Sequence, residues 1–154
     1  MNSISFQSSW IYSQSKIYCL LIGLFTFSLG FQSCGPSILR DSFSVEQNDI
    51  IKTDAIALMK RAGKSYSSME GEVNDLKSRI DTLIQHEQDR GEANSKTVKM
   101  WELMMNPNEK LLGGFLNRWE NEGKLNGPFI KEIAKQVSTN FDKIIKYEKK
   151  KKKP

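Results

Sequence analysis

A regular spacing of apolar side chains between residues 55 and 83 is the feature that most restricts the fold of this chain. The apolar positions are separated alternately by four and three residues, a pattern typical of a helix whose narrow apolar stripe faces a partner helix. The sequence therefore predicts a long heptad-patterned helix. The stripe consists of Ala55, Met59, Ala62, Tyr66, Met69, Val73, Leu76, Ile80 and Leu83.

The bounds of this helix are predicted from capping signals and from polarity. Ser44 and Gln47 fit a capping box, which places the start of the helix at Ser44. Beyond residue 83 the stripe positions become polar, and Gly91 lies among them, so we predict a break within residues 88–94. One bent helix reaching Met105 is the alternative. The polar stripe positions are Glu87, Arg90, Asn94 and Thr97.

Two shorter helices are predicted to follow. Asn106-Pro107 indicates one helix start and Asn126-Gly127-Pro128 another, because proline is favoured in the first helical turn. The fold class is therefore all-α: a long helix followed by two or three shorter helices in a bundle or hairpin. The expected core residues are Trp101, Met104, Leu112, Phe115, Trp119, Ile133, Val137 and Phe141.

The stripe is too narrow to be buried without a facing helix. An internal partner, the C-terminal helices folded back on it, and an external partner, a second copy or another protein, both fit the pattern. We favour the internal partner, because Tyr66 and the alanines of the stripe would form a weak autonomous zipper.

The N-terminal part has the organisation of an export signal. A single basic residue, Lys16, precedes an uncharged apolar run over residues 17–31, which has the length of a signal-peptide core and is short for a membrane-spanning helix. Beyond Cys19 and Cys34 the chain has no cysteine, so an exported form would have no pair for an internal disulfide.

The residues Phe31-Gln32-Ser33-Cys34 resemble the cleavage box of bacterial lipoprotein signal peptides. Ser33 is the small residue that this family has before its cysteine, whereas Phe31 and Gln32 depart from the usual pattern. The resemblance implies cleavage before Cys34 and a lipid on its thiol. It covers about residues 16–35 and carries no implication for the helical domain.

Other interpretations of this segment remain open. Residues 10–31 could form an uncleaved signal anchor, with Trp10 and Tyr12 at one interface, or the apolar run could be a core helix of a cytosolic protein. The predicted organisation is a signal peptide or anchor at 1–33, a tether at 34–43, an all-helical domain at 44–148 and a basic tail at 149–154. The predicted location is the bacterial cell envelope, on the non-cytoplasmic side of a membrane.

Five consecutive lysines near the C-terminus dominate the charge of the chain. Without them the part after residue 33 has a net charge of −1, so a pI of about 9.2 gives no support for nucleic-acid binding by the folded body. The run is either a solubilising end or a candidate site for envelope polyanions, such as anionic lipids or a cell-wall polymer. The candidate residues are Lys149, Lys150, Lys151, Lys152 and Lys153.

A lipid-modified cysteine, a helical stripe and a Lys-rich end together are similar to the small peptidoglycan-linked lipoprotein of outer membranes. That family is attached through a C-terminal lysine, whereas here Pro154 follows Lys153.

No catalytic, metal or cofactor motif is recognisable. His86 is the only histidine and lies in a polar stretch, and Gly113-Gly114 lacks the Lys-Ser/Thr of a phosphate loop. We expect a non-enzymatic, membrane-anchored lipoprotein that acts as a helical adaptor or spacer for another envelope protein. The alternative function is a binding module for polyanions or lipids through the Lys-rich tail.

Overall fold

A computed structural model describes residues 39–152, and this part of the chain is all-α, as predicted. The predicted signal peptide and Cys34 lie outside the described residues. Single 3-10 turns at Tyr66–Ser68 and Glu92–Asn94 precede α2 and α3. The α-helices are α1 (Ser42–Met59), α2 (Glu70–Asp89), α3 (Ser95–Met105), α4 (Leu112–Glu122) and α5 (Gly127–Lys150).

The heptad stripe does not lie on one helix, so the predicted single long helix is wrong. The chain turns at residues 60–69 and α2 returns antiparallel along α1, as the Arg79–Asp54 ion pair at 2.8 Å indicates. Every stripe residue is nevertheless buried, and its partners are other helices of the same chain. The internal alternative is therefore correct for the described part of the chain.

The turn between α1 and α2 is held by the loop between α4 and α5. The Tyr66 amide donates to the Gly123 carbonyl at 2.8 Å, and the Leu125 amide donates to the Ala62 carbonyl at 2.9 Å. The Trp119 indole N–H donates to the Lys64 carbonyl at 3.1 Å. Backbone groups of both turns are thus satisfied by each other, as buried polar groups require.

The predicted break within residues 88–94 is confirmed, and a second glycine, Gly123, ends α4. Gly91 and Gly123 have φ of +86° and +73°, a region that glycine enters without a steric cost. The predicted helix start at Asn106-Pro107 is wrong, because α4 begins five residues later at Leu112. The Asn106 side chain instead accepts from the Asn108 amide at 3.0 Å and stabilises a turn.

The core is centred on the aromatic residues of α3, α4 and α5. Trp101 packs edge-on against Phe141, with ring centroids 5.5 Å apart, and Trp119 contacts Tyr66 in the same way at 5.6 Å. All eight core residues expected from the sequence are buried. A Cβ on Gly113 would overlap the Met105 carbonyl at the end of α3, and a Cβ on Gly114 would overlap the Glu109 carbonyl, so the glycine pair lets α4 start in close contact with the preceding turn.

The two ends of the described chain lie together. The Arg40 amide donates to the Lys152 carbonyl at 2.6 Å. The first helix begins at Ser42, not Ser44, because Asp41 is the N-cap and accepts from the Phe43 amide at 3.1 Å. The last helix extends to Lys150, beyond the predicted domain limit at residue 148. Among the helices of residues 39–152, none has the length and apolar character needed to cross a membrane.

Candidate functional site

A cluster of polar side chains is buried at the end of the bundle where the chain enters and leaves. We call this set the polar cluster, and its members come from α1, α2, the start of α3 with the turn before it, and the end of α5 with its C-cap. All are at most 7% exposed in a bundle whose remaining interior is apolar. The members are Ser44, Asn48, Glu87, Asn94, Thr97, Glu148 and Lys151.

Lys151 is the centre of this cluster. Its Nζ lies 2.6 Å from Glu148 Oε1 and 3.7 Å from Glu87 Oε2. It donates to Asn94 Oδ1 at 2.8 Å and to Thr97 Oγ1 at 3.0 Å. An ammonium group has three donors, so Glu148, Asn94 and Thr97 satisfy all of them.

Glu87 is fully buried and is held from the other side. Arg90 Nη1 donates to Glu87 Oε2 at 2.9 Å. The Ser44 hydroxyl lies within hydrogen-bond distance of both Glu87 Oε1 and Asp41 Oδ2, and its single proton is donated to one of these carboxylates at a time. Arg90 also reaches the Leu39 carbonyl through Nη2 at 2.6 Å. The two buried carboxylates, Glu87 and Glu148, are thus balanced by two cations. This balance is the condition under which burial of charge is tolerated.

A hydrogen bond between His86 and Asp41 at the edge of the cluster stabilises the start of α1. His86 Nε2 lies 2.6 Å from Asp41 Oδ2, and Phe43 packs edge-on against the imidazole. Burial by itself would raise the pKa of the Asp41 carboxyl. The hydrogen bonds from His86, Ser44 and the Phe43 amide outweigh burial, so the pKa lies below its ordinary value. His86 is therefore not simply a solvated surface residue.

The basic run is divided between very different environments. Lys151 is buried, whereas Lys149 and Lys150 are exposed on the last turn of α5, and Lys149 Nζ lies 3.3 Å from Asp49 Oδ2. Lys152 is exposed and pairs through its backbone with Arg40. Lys153 lies outside the described residues. Lys151 is one of the five residues that are candidates for polyanion binding, and its ammonium group is buried in the protein.

The sequence contained a signal for the cluster that we interpreted differently. Glu87, Asn94 and Thr97 were recognised as polar residues at stripe positions and interpreted only as a break in the helix. Glu148 and Lys151 likewise continue the apolar stripe of α5 at spacings of three and four residues. When polar residues take over the positions of two apolar stripes, and both stripes change at the same end of a bundle, the polar residues are expected to form a buried polar layer there.

The polar cluster cross-links segments that are distant in the sequence. It joins the segment before α1, the α2–α3 link and the end of α5, and its hydroxyl groups bond to carboxylates already paired with cations. No group of three or more His, Cys, Asp or Glu side chains suited to a metal ion occurs in residues 39–152.

No family model, curated protein or solved structure matches this chain.

The surface around the chain ends is both apolar and basic. Leu39 and Phe43 are large apolar residues that are 47% and 45% exposed. Lys149, Lys150 and Lys152 are exposed at the same end of the bundle. We call these five residues the terminal surface, and such a combination suits an interface with anionic lipid.

Proposed function

We propose that this protein is a lipoprotein of the bacterial cell envelope, held at a membrane through Cys34, whose helical domain is a non-enzymatic adaptor for another envelope protein. The observation that carries the proposal is the meeting of the two ends of the described residues 39–152, with the Arg40 amide 2.6 Å from the Lys152 carbonyl. This contact brings the basic run next to the residue from which the chain leads back to Cys34.

Chain length limits how far the domain could lie from its anchor. Cys34 precedes Leu39 by five residues, and five residues extend at most about 18 Å. A lipid on Cys34 would therefore hold the terminal surface close to the headgroups. A diacylglyceryl group on Cys34 would supply two acyl chains, which are enough for stable anchoring, and each lysine near an anionic surface contributes about 1 kcal/mol more. The terminal surface would supplement the anchor and orient the bundle away from the membrane.

The anchor is tested by the intact mass of the full chain from isolated membranes. We expect the loss of residues 1–33 and the added mass of acyl chains. Cys34→Ser should abolish both, and Cys19→Ser is the matched control, which should leave the mature form unchanged. An unprocessed N-terminus at Met1 would favour the uncleaved signal anchor and contradict lipidation.

Binding of polyanions through the basic run is the second candidate function, and the terminal surface favours it. The test is flotation of the full chain with phosphatidylcholine vesicles and with vesicles that also contain phosphatidylglycerol. Replacing Lys149, Lys150 and Lys152 with Gln should reduce binding to the anionic vesicles alone. Lys151 must be kept, since deletion of the whole run would also remove the centre of the polar cluster. Equal binding to both vesicles would contradict this function.

A further inference from the structure

A groove with an apolar floor lies between α1 and α5, in the half of the bundle remote from the chain ends. Its floor is formed by Ile56, Ile130 and Ala134, and its volume is about 430 Å³. That volume lies within the range of pockets that take small ligands, about 300–1,000 Å³. The groove is separate from the polar cluster and from the terminal surface.

The charge around the groove has one sign. Lys60, Lys131 and Lys135 line it, and no carboxylate side chain contributes to the lining. In residues 39–152 these three ammonium groups have no carboxylate within salt-bridge distance. Three cations around an apolar floor predict an anionic ligand with an apolar body.

The other half of the same helix pair shows the contrast. There Lys52 lies 2.5 Å from Asp142 and Lys149 lies 3.3 Å from Asp49, so two ion pairs join α1 and α5 in that half. Charge pairing between the two helices thus ends where the groove begins. The ammonium groups of Lys60, Lys131 and Lys135 are therefore available to bind an anionic ligand.

We propose that this groove binds a free fatty acid. The alkyl chain would lie on Ile56, Ile130 and Ala134, and the carboxylate would accept hydrogen bonds from the lysines. A carboxylate bound to two or more ammonium donors makes charge-assisted bonds, which are stronger than neutral ones. A protein partner is less well matched, because a stable interface takes about 800 Å² from each side. The large exposed apolar residues that would extend such an interface, Leu39, Phe43, Ile50 and Leu103, do not line the groove.

The proposal is tested by photo-crosslinking of the full chain in isolated membranes with a diazirine-bearing twelve-carbon fatty acid. Peptide mapping should place the label in residues 56–60 and 127–138. Labelling should be displaced by laurate and not by dodecyltrimethylammonium, which has the same alkyl length and the opposite charge. Lys131→Glu with Lys135→Glu should lower the labelling roughly tenfold.

Lys143→Glu with Lys146→Glu is the matched control, because it reverses two exposed charges of α5 outside the groove. This variant should retain the labelling, and circular dichroism should show equal helix content in both variants. Equal labelling of the two variants, equal displacement by the cationic amphiphile, or label confined to other peptides would each overturn the proposal. If an acidic amphipathic peptide were crosslinked in a charge-dependent way and the fatty acid were not crosslinked at all, the groove would be a protein-docking site and the proposal would be wrong.

Discussion

The bundle has two interior layers that are equally buried and chemically opposite. Around Trp101, Trp119 and Phe141 the interior is apolar, and any well-packed aliphatic or aromatic set could fill it. Around Glu87 and Lys151 the interior is ionic, and each charged group depends on several specific partners held in fixed positions. The comparison teaches that the apolar layer supplies most of the stability, whereas the ionic layer fixes which segments meet.

The largest expected effect lies in the apolar layer. Trp119→Ala removes a fully buried side chain and also the hydrogen bond to the Lys64 carbonyl that holds the first turn. We expect a loss of about 3–5 kcal/mol in the free energy of unfolding, measured by urea denaturation. Leu103→Ala, at an exposed apolar residue of α3, is the control and should cost far less. A small effect of Trp119→Ala would show that the core is placed wrongly.

The next effect tests the ionic layer. Lys151→Met leaves Glu87 and Glu148 buried with Arg90 as the remaining cation, so we expect a loss of about 3 kcal/mol. Lys150→Met, one residue earlier and exposed, should change the stability by less than about 0.5 kcal/mol. Similar unfolding curves for the two variants would mean that the basic run is a free tail.

A double variant separates stability from specificity in the same layer. Replacing Glu148 and Lys151 together with Leu removes the charged pair and leaves no uncompensated partner between them. Such replacements are often neutral or stabilising. We therefore expect Glu148→Leu with Lys151→Leu to be more stable than Lys151→Met. If the double variant were the less stable of the two, the ionic layer would contribute net stability of its own.

Sequence periodicity predicts the residues of the apolar layer, whereas it gives only the polar stripe positions of the ionic layer and not the pairing between them. Periodicity identifies residues such as Val137 and Phe141 because burial of apolar area is local and non-directional. It did not reveal the turn at residues 60–69, since Tyr66 and Met69 of the turn are buried at the same spacing as residues on a helix. Lys151 was assigned to a tail because its partners, Glu87 and Asn94, are distant in sequence and only the fold brings them together.

The fourth prediction concerns the edge of the ionic layer and its dependence on pH. Because the pKa of Asp41 is lowered by folding, its contribution is present above the unfolded value of about 3.9 and is lost as the pH falls through the folded value. Asp41→Ala also removes the N-cap and should lower the free energy of unfolding by about 1 kcal/mol at neutral pH. The difference in free energy of unfolding between this variant and the unmodified chain should shrink below about pH 4. Asp41→Asn, which can still cap α1, is the control for the charge. A cost of Asp41→Ala that does not change with pH would contradict the ionic role.

The smallest expected effect is at Lys149, two residues from the centre of the ionic layer. Lys149 and Asp49 pair at 3.3 Å with side chains 48% and 52% exposed. Water screens such a pair, and holding both side chains in place costs entropy, so an exposed pair contributes about 0–1 kcal/mol. We expect Lys149→Ala to lower the free energy of unfolding by less than about 0.5 kcal/mol at low salt, and by nothing measurable at high salt. Lys151→Met should keep its full effect in both buffers, because salt screens buried charges far less. If salt removed the effects of both variants alike, Lys151 would be an exposed residue and the two layers would not differ as the structure shows.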